Sequence, residues 1–200
     1  MTKHELRRHL RKNRNAIPAA ERRLAAKRLI KVALQEKLLS RRQHIGFYLA
    51  FEGEMDLLPL INEALWRKKT GYLPVVPQRY QRQLKFSKLT AKPNWYLNRF
   101  GIREHWSLGH VRARQLDLLF VPLVGFDEHG YRLGMGGGFY DASLAYLKRR
   151  RGWRKPYLVG VGYECQKVEK VPHDPWDMPL DAVITEQRLY RFNHCQSKGV

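Results

Sequence analysis

The stretch from Gly46 to Val76 constrains the fold of this chain more than any other. Gly46-Phe47-Tyr48-Leu49-Ala50-Phe51 reads as a short apolar strand ending in Glu52-Gly53-Glu54. Asp56 then caps a helix whose Leu57, Leu60, Ile61 and Leu65 share one face, and Lys68-Lys69-Thr70-Gly71 closes it. Tyr72-Leu73-Pro74-Val75-Val76 is the next strand. Two strands joined through a helix must pair in parallel, with the helix covering the sheet.

A second unit of the same kind follows. Leu116 to Val121 is a nearly continuous apolar run, as expected of a strand buried on both faces. A turn at Gly125-Phe126-Asp127-Glu128-His129-Gly130 and a glycine-rich stretch lead into a helix expected from Gly138 to Arg149. Further strands are expected at Tyr157 to Tyr163 and, as a short last one, at Ala182 to Thr185. Residues 77–110 are turn-rich, with a hairpin expected around Gln83 to Leu89 and a loop through Trp95 to Trp106.

Upstream lies a different texture. Residues 1–43 carry fourteen Lys and Arg against three Glu and no glycine, which suits two helices, from Lys3 to Arg14 and from Pro18 to Leu39. With 200 residues and no repeat or clear linker, one domain spanning 1–200 is expected, its basic helical segment packed on the α/β core.

The net charge of +20 excludes an anion-repelling surface and makes phosphates or nucleic acid the natural partners. Two cysteines, Cys165 and Cys195, form neither a disulfide framework nor a zinc pattern. No apolar run approaches the roughly 20 residues that span a bilayer, and the N-terminus lacks the apolar core of a secretory signal. A cytoplasmic location without membrane attachment is expected.

The densest chemical signal is Arg132-Leu133-Gly134-Met135-Gly136-Gly137-Gly138-Phe139-Tyr140-Asp141. Four glycines in five positions free the backbone to turn N–H groups toward one anion. Arg132 can supply a cation to it, and Asp141 a carboxylate for a phosphate-bound divalent ion. The pattern is neither Gly-x-x-x-x-Gly-Lys-Ser/Thr nor Gly-x-Gly-x-x-Gly, and a plain flexible turn is the alternative.

Glu52 and Glu54 fall just past a strand end, where open α/β sheets bind ligands, although two exposed turn glutamates would look the same. Val171 to Asp181 holds Asp174, Asp177 and Asp181 before a strand, serving either a metal or turns. Trp66, Trp95, Phe100, Trp106 and Trp153 interleave with basic residues and could stack on a base or pteridine, or simply pack. Lys148-Arg149-Arg150-Arg151 could complement a helix end or touch RNA.

Taken together, Leu118 to Asp127 followed by Gly130-Tyr131-Arg132-Leu133-Gly134-Met135-Gly136-Gly137-Gly138-Phe139-Tyr140-Asp141 resembles the 5-formyltetrahydrofolate cyclo-ligase family, with likeness from Lys3 to about Thr185. The resemblance implies a single three-layer αβα domain with a mainly parallel, Rossmann-like open sheet of the NagB/RpiA/CoA-transferase kind. It implies an ATP- and Mg²⁺-dependent ligase that closes 5-formyltetrahydrofolate, with or without a polyglutamate tail, into 5,10-methenyltetrahydrofolate with release of ADP and phosphate. A monomer is expected.

Residue by residue, the resemblance puts ATP at Lys3, Arg7 and Arg132 to Tyr140, that is Arg132, Leu133, Gly134, Met135, Gly136, Gly137, Gly138, Phe139 and Tyr140. It puts the folate at Arg7, Leu49, Glu54, Phe100, Met135, Gly136, Gly137, Gly138 and Phe139. Arg132 and Tyr140 are the implied catalytic pair, and Asp141 and Asp177 the metal-associated acids. Asn98 to Glu104 resembles the substrate-side loop.

The chain departs from the family pattern at His105, where many members have Pro, at Phe139 for a common Tyr, and at Gly137 for an occasional Lys. A basic RNA-binding protein on the same scaffold is the alternative function, although specific nucleic-acid binding is not expected without a recognisable RNA module. A catalytically silent folate-binding relative is the other.

Overall fold

The computed structural model describes residues 1–78, 80–91, 94–149 and 155–192, the side chain of Arg149 excepted. Its frame is a seven-stranded sheet. β1 (His44–Gly46) is joined through helix α3 (Leu58–Trp66) to β2 (Thr70–Val75), and β3 (Lys85–Lys88) follows β2. On the other side of β1 lie β6 (Leu118–Pro122), β9 (Tyr157–Val161), β10 (Ala182–Ile184) and β11 (Leu189–Arg191), so the order across the sheet is β11-β10-β9-β6-β1-β2-β3. The five middle strands are parallel, and β3 and β11 close the edges antiparallel.

Two small hairpins stand off the sheet: β4 (Asn94–Leu97) with β5 (Arg103–Trp106), and β7 (Gly125–Phe126) with β8 (Arg132–Leu133). The strand order reverses between β1 and β6. A topological switch of this kind opens a crevice at the carboxyl ends of the strands, the ordinary ligand position in open α/β sheets.

Alternation along the strands sorts the core into two layers. Leu118 and Phe120 face one side, with Ile45, Phe47 and the apolar stripes of α3 and α2 (Ala19–Gln35), including Ala25, Leu29 and Ala33. Leu119 and Val121 face the other, beneath helix α4 (Phe139–Leu144) and the 3₁₀ turns that continue it to Arg149. Layers of helix, sheet and helix are the α/β architecture expected from the sequence.

Helix α1 (Lys3–Asn15) forms a third cluster at the carboxyl edge of the sheet. Its Leu6 and Leu10 are buried against Val124, Leu133 and Val171. A Thr2–Glu5 capping box starts it, each side chain bonding the other's backbone N–H. The first basic helix is thereby held beside the strand ends instead of standing in solvent.

The structure corrects the expected element limits at several points. The first strand occupies His44–Gly46, not Gly46 to Phe51. Phe47 N still donates to Tyr72 O (2.8 Å), but the chain then leaves the sheet for a tight turn with positive φ at Glu52 (45°) and Gly53 (81°). The expected hairpin at Gln83 to Leu89 is instead the single strand β3, whose antiparallel partner is β2.

The true hairpin is β4–β5, within what reads as a loop. Asn98 ties its tip by accepting the N–H groups of Phe100 and Ile102 on Oδ1. The second helix stops at Gln35, where Lys37 adopts φ 53°, instead of running on to Leu39. The α-helical part of the expected 138–149 helix is six residues. A final strand, β11, follows β10 and was not expected.

Candidate active site

A cleft of about 410 Å³ opens at the carboxyl ends of β1, β2 and β6, at the switch point. Three walls of different chemistry enclose it. The first is the segment after β1, with Tyr48, Leu49, Phe51 and Glu54. The second is the β4–β5 hairpin, with Asn98, Phe100, Ile102, Arg103 and Glu104. The third is the glycine loop and the start of α4, with Arg132, Gly134, Met135, Gly137, Gly138, Phe139, Tyr140 and Asp141. Pro74, Val76 and Pro122 supply apolar floor.

The glycine loop is built as its composition requires. Gly136 has φ 101° and Gly138, the residue that caps α4, has φ 66°, a region unfavourable to residues with a Cβ. No side chain caps α4, so its first N–H groups are left for water or a ligand. Arg7, reaching from α1, donates from Nε to Gly134 O at 2.8 Å and lies beside Gly136.

Arg132, only 5% exposed in its side chain, clamps the loop's two ends. Its Nη2 donates to Asp141 Oδ1 at 2.6 Å and its Nη1 to Met178 O at 2.7 Å. The cation that the sequence reserves for phosphate is therefore paired with Asp141. Tyr140, at the start of α4, feels the Glu54 charge and is held protonated well above the ordinary phenol range, by burial first and by that charge second.

Lys3 sits one turn before Arg7 on α1. Its Nζ donates to Asp174 at 2.6 Å and Asp177 at 3.0 Å. Burial pulls the amine down, but the two carboxylates more than offset it and raise its pKa. Asp177 moves the opposite way: burial raises it, and the N–H of Asp174 together with Lys3 takes it below the usual carboxylate range. Lys3, Arg7, Leu133, Gly136 and Asp177 do not line the cleft itself; Arg7 is bonded to its loop at Gly134, and Lys3 and Asp177 are bonded to each other.

Asp141 and Asp177 come together around Met178: Met178 N lies 3.5 Å from Asp141 Oδ1 and Arg132 bonds Met178 O, while the Arg132 charge also acts on Asp177. No cluster of three metal-ligating side chains occurs among the described residues. Two carboxylates beside a phosphate-sized loop still fit Mg²⁺, which characteristically keeps waters and is held by one or two carboxylates plus substrate phosphates.

The two turn glutamates divide. Glu52 is exposed and pairs with Arg11 at 2.5 Å. Glu54 turns inward, accepts the Phe51 N–H at 3.1 Å, and is pushed up to about 7, by burial above all. A carboxyl this close to neutrality in an apolar-walled cleft can accept paired N–H groups from a heterocycle. Phe100 meets Phe139 edge-on, ring centroids 6.1 Å apart, joining the hairpin to the glycine loop across the cleft.

Other sequence candidates find structural employment. Asp181 accepts the Leu158 N–H at 2.6 Å. Asp127 is buried and holds the N–H groups of His129, Tyr131 and Val171. His105 is fully buried, bonded to Ser87 and within reach of Thr90, and fixes the hairpin to β3. Trp66 lies on the surface under Arg67. Lys148 donates to Pro175 O, whereas Arg150, Arg151, Trp153 and Cys195 lie outside the described residues.

Sequence reasoning missed the buried arginine Arg14, and it did not foresee that Asp174 shares Lys3 with Asp177. Arg14 falls on the same helical face as Lys3 and Arg7, two turns beyond Arg7. A charge repeating on the stripe that also carries Leu6 and Leu10 was the available signal.

The fold and the cleft define an α/β enzyme with its site at the sheet's switch point, walled by a glycine loop and by carboxylates. Residues 1–186 match the 5-formyltetrahydrofolate cyclo-ligase family, and the chain belongs to that family. It is 40% identical over 153 residues to 5-formyltetrahydrofolate cyclo-ligase of Escherichia coli K12, covering 74% of this chain and 80% of the relative. It is 36% identical over 186 residues to the Haemophilus influenzae enzyme of that name, covering 90% and 95%. The structure of Aquifex aeolicus 5,10-methenyltetrahydrofolate synthetase superposes over 100% of both chains with a TM-score of 0.80 at 31% identity.

Proposed function

We propose that this enzyme closes 5-formyltetrahydrofolate to 5,10-methenyltetrahydrofolate with ATP and Mg²⁺, releasing ADP and phosphate. The observation that carries this reading is the shared cleft, with the Glu54 carboxyl on one wall and the glycine loop with Asp141 on another. Two ligands that must react fit two chemically distinct walls.

In this reading the formyl oxygen attacks the γ-phosphorus, the bond to the ADP oxygen breaks, and an iminium phosphate forms. Nitrogen 10 then attacks the activated carbon and gives up its proton to solvent or to the leaving group, and phosphate departs with the former formyl oxygen. Such transfer depends on alignment and on neutralising phosphate charge more than on a strong base.

The chain's residues divide that work. Glu54 accepts N–H groups of the pterin, while Leu49 and Phe100 pack against its ring. The loop from Arg132 to Tyr140 cradles the triphosphate between Arg7 and Lys3. Asp141 and Asp177 would hold Mg²⁺, which when bound neutralises phosphate charge. With these carboxylates holding the ion, Arg132 and Lys3 would be free to turn their charge toward phosphate.

The same reading treats the basic N-terminal helices as part of one working domain and gives the surplus charge a steering role toward an anionic folate. No helix among the described residues is long and apolar enough to cross a membrane, and we place the enzyme in the cytoplasm. The test is a spectrophotometric assay of the purified protein. Methenyl product should appear only with ATP, Mg²⁺ and 5-formyltetrahydrofolate together, and saturable binding of both substrates without product would overturn the reading in favour of a silent folate binder.

A further inference from the structure

Arg14 ends the basic stripe of α1 and is 1% exposed, one of the largest fully buried side chains in the molecule. A buried guanidinium ordinarily spends its donors on a carboxylate. Here only Nη2 is engaged, donating to Glu52 O at 2.8 Å, while Nε and Nη1 are buried without a hydrogen-bond partner among the described residues. So expensive an arrangement calls for a reason.

Its surroundings supply one. The Glu52–Gly53 turn lies against the end of α1 so closely that a Cβ on Gly53 would stand 2.6 Å from Asn15 Oδ1. Arg14 and Arg11 both hold that turn, through the Glu52 backbone and side chain respectively. The next residue is Glu54. The charged and titratable groups acting on Glu54 are Arg14 from α1, Glu52 and Tyr48 from its own segment, and Tyr140 from α4. Tyr163, after β9, approaches its backbone oxygen at 3.5 Å. Arg14 is the cation among them, and it does not line the cleft.

We propose that Arg14 is the positioning residue of the folate side: its buried guanidinium fixes the Glu52–Gly53 turn and supplies the charge that lets Glu54 present an ionised carboxylate to the pterin. The inference rests on the assignment of Glu54 to the pterin. Burial raises Glu54 toward neutrality and Arg14 opposes it, so removing Arg14 raises it further and leaves the carboxyl protonated near neutral pH.

The experiment measures the affinity of the protein for 5-formyltetrahydrofolate, and separately for ATP, from about pH 5.5 to about pH 8.5. Arg14→Met, Arg14→Lys and Glu54→Gln are compared with the wild type. Met keeps the packed stem and removes the two unpartnered donors, but it leaves Glu52 O without its arginine partner. The expected Arg14→Met protein stays folded with at most a modestly lower melting temperature and binds ATP within about twofold. It binds the folate about tenfold more weakly at neutral pH, with the midpoint of folate affinity moved up by about one pH unit.

Arg14→Lys should retain the wild-type midpoint. An unmoved midpoint in Arg14→Met, or equal loss of ATP and folate affinity with a lower melting temperature, overturns the inference and makes Arg14 a packing residue. Should Arg14→Met not fold, a midpoint displaced upward in Arg14→Lys, where the charge is kept, overturns it equally, and a retained one supports it. Glu54→Gln separates the two readings. Unchanged folate affinity there removes the pterin assignment and this inference together, whereas weakened affinity with an unmoved Arg14→Met removes this inference alone.

Discussion

Asp141 and Glu54 stand in one cleft, each with an arginine for a neighbour, and the two pairs are built differently. Asp141 is locked to Arg132 at 2.6 Å, and the same guanidinium ties down Met178. Glu54 makes no hydrogen bond to Arg14 and carries a carboxyl raised to about 7. The Asp141 wall is therefore a closed network of compensated charge, which in the proposed reaction a metal and phosphates would have to reopen. On the Glu54 wall a single carboxyl is left under-solvated, so its protonation answers to its surroundings and to pH. Charged ligands suit the first design, and a flat heterocycle with paired N–H groups suits the second.

Substitutions can break this contrast. The largest effect is expected from Asp141→Asn, which keeps a hydrogen-bonding oxygen for Arg132 but removes the metal-side charge. Turnover should fall on the order of 100-fold, with the KM for folate little changed in steady-state assays. An equal rise in the folate KM would mean that the two walls are one electrostatic unit. Glu54→Gln is next: the folate KM should rise about tenfold while the ATP KM stays within about twofold.

A pH series sharpens the contrast further. In the free enzyme Glu54 titrates near 7, so its carboxylate form grows as pH rises through that value. The kcat/KM for folate should rise across the same window, and the rise should vanish in Glu54→Gln. The sign for stability is opposite: a carboxyl whose folded pKa lies above its unfolded value stabilises the fold at low pH and loses that contribution as pH climbs toward 7. The smallest effect is expected from Lys3→Ala, a several-fold increase in the ATP KM alone, because Lys3 is partly exposed and already shared between Asp174 and Asp177.

The sheet was legible because its signals are local. Leu116 to Val121 had to be a strand buried on both faces, and Leu57, Leu60 and Ile61 mark a helix covering one of them. The glycine loop was equally readable, since four glycines beside a buried strand have few other uses. The β4–β5 hairpin was hidden because its exposed Trp95, Tyr96 and Leu97 show no clean alternation. The first strand was overextended because apolar Phe47 and Tyr48 stay buried after the chain has left the ladder.

In the site, Asp141 could be read from its own loop, and Lys3, Arg7, Glu54 and Asp177 from a family resemblance, but Arg14 carried neither signal. Asp141 follows its own loop, but Arg14 reaches Glu54 only because α1 packs across the edge of the sheet on Leu6 and Leu10. Likewise, the Lys3–Asp174–Asp177 group joins the two ends of the chain. Charge counting alone could not distinguish these inward cations from the solvated ones on the same helix.

The most direct test of a two-walled ligase site is the pairing of product formation with ATP consumption. Purified enzyme given ATP, Mg²⁺ and 5-formyltetrahydrofolate should release ADP and the methenyl product in equal amounts, and neither when any component is withheld. ADP release that proceeds without the folate, or product that forms without ATP, would contradict a cleft whose two walls serve one reaction.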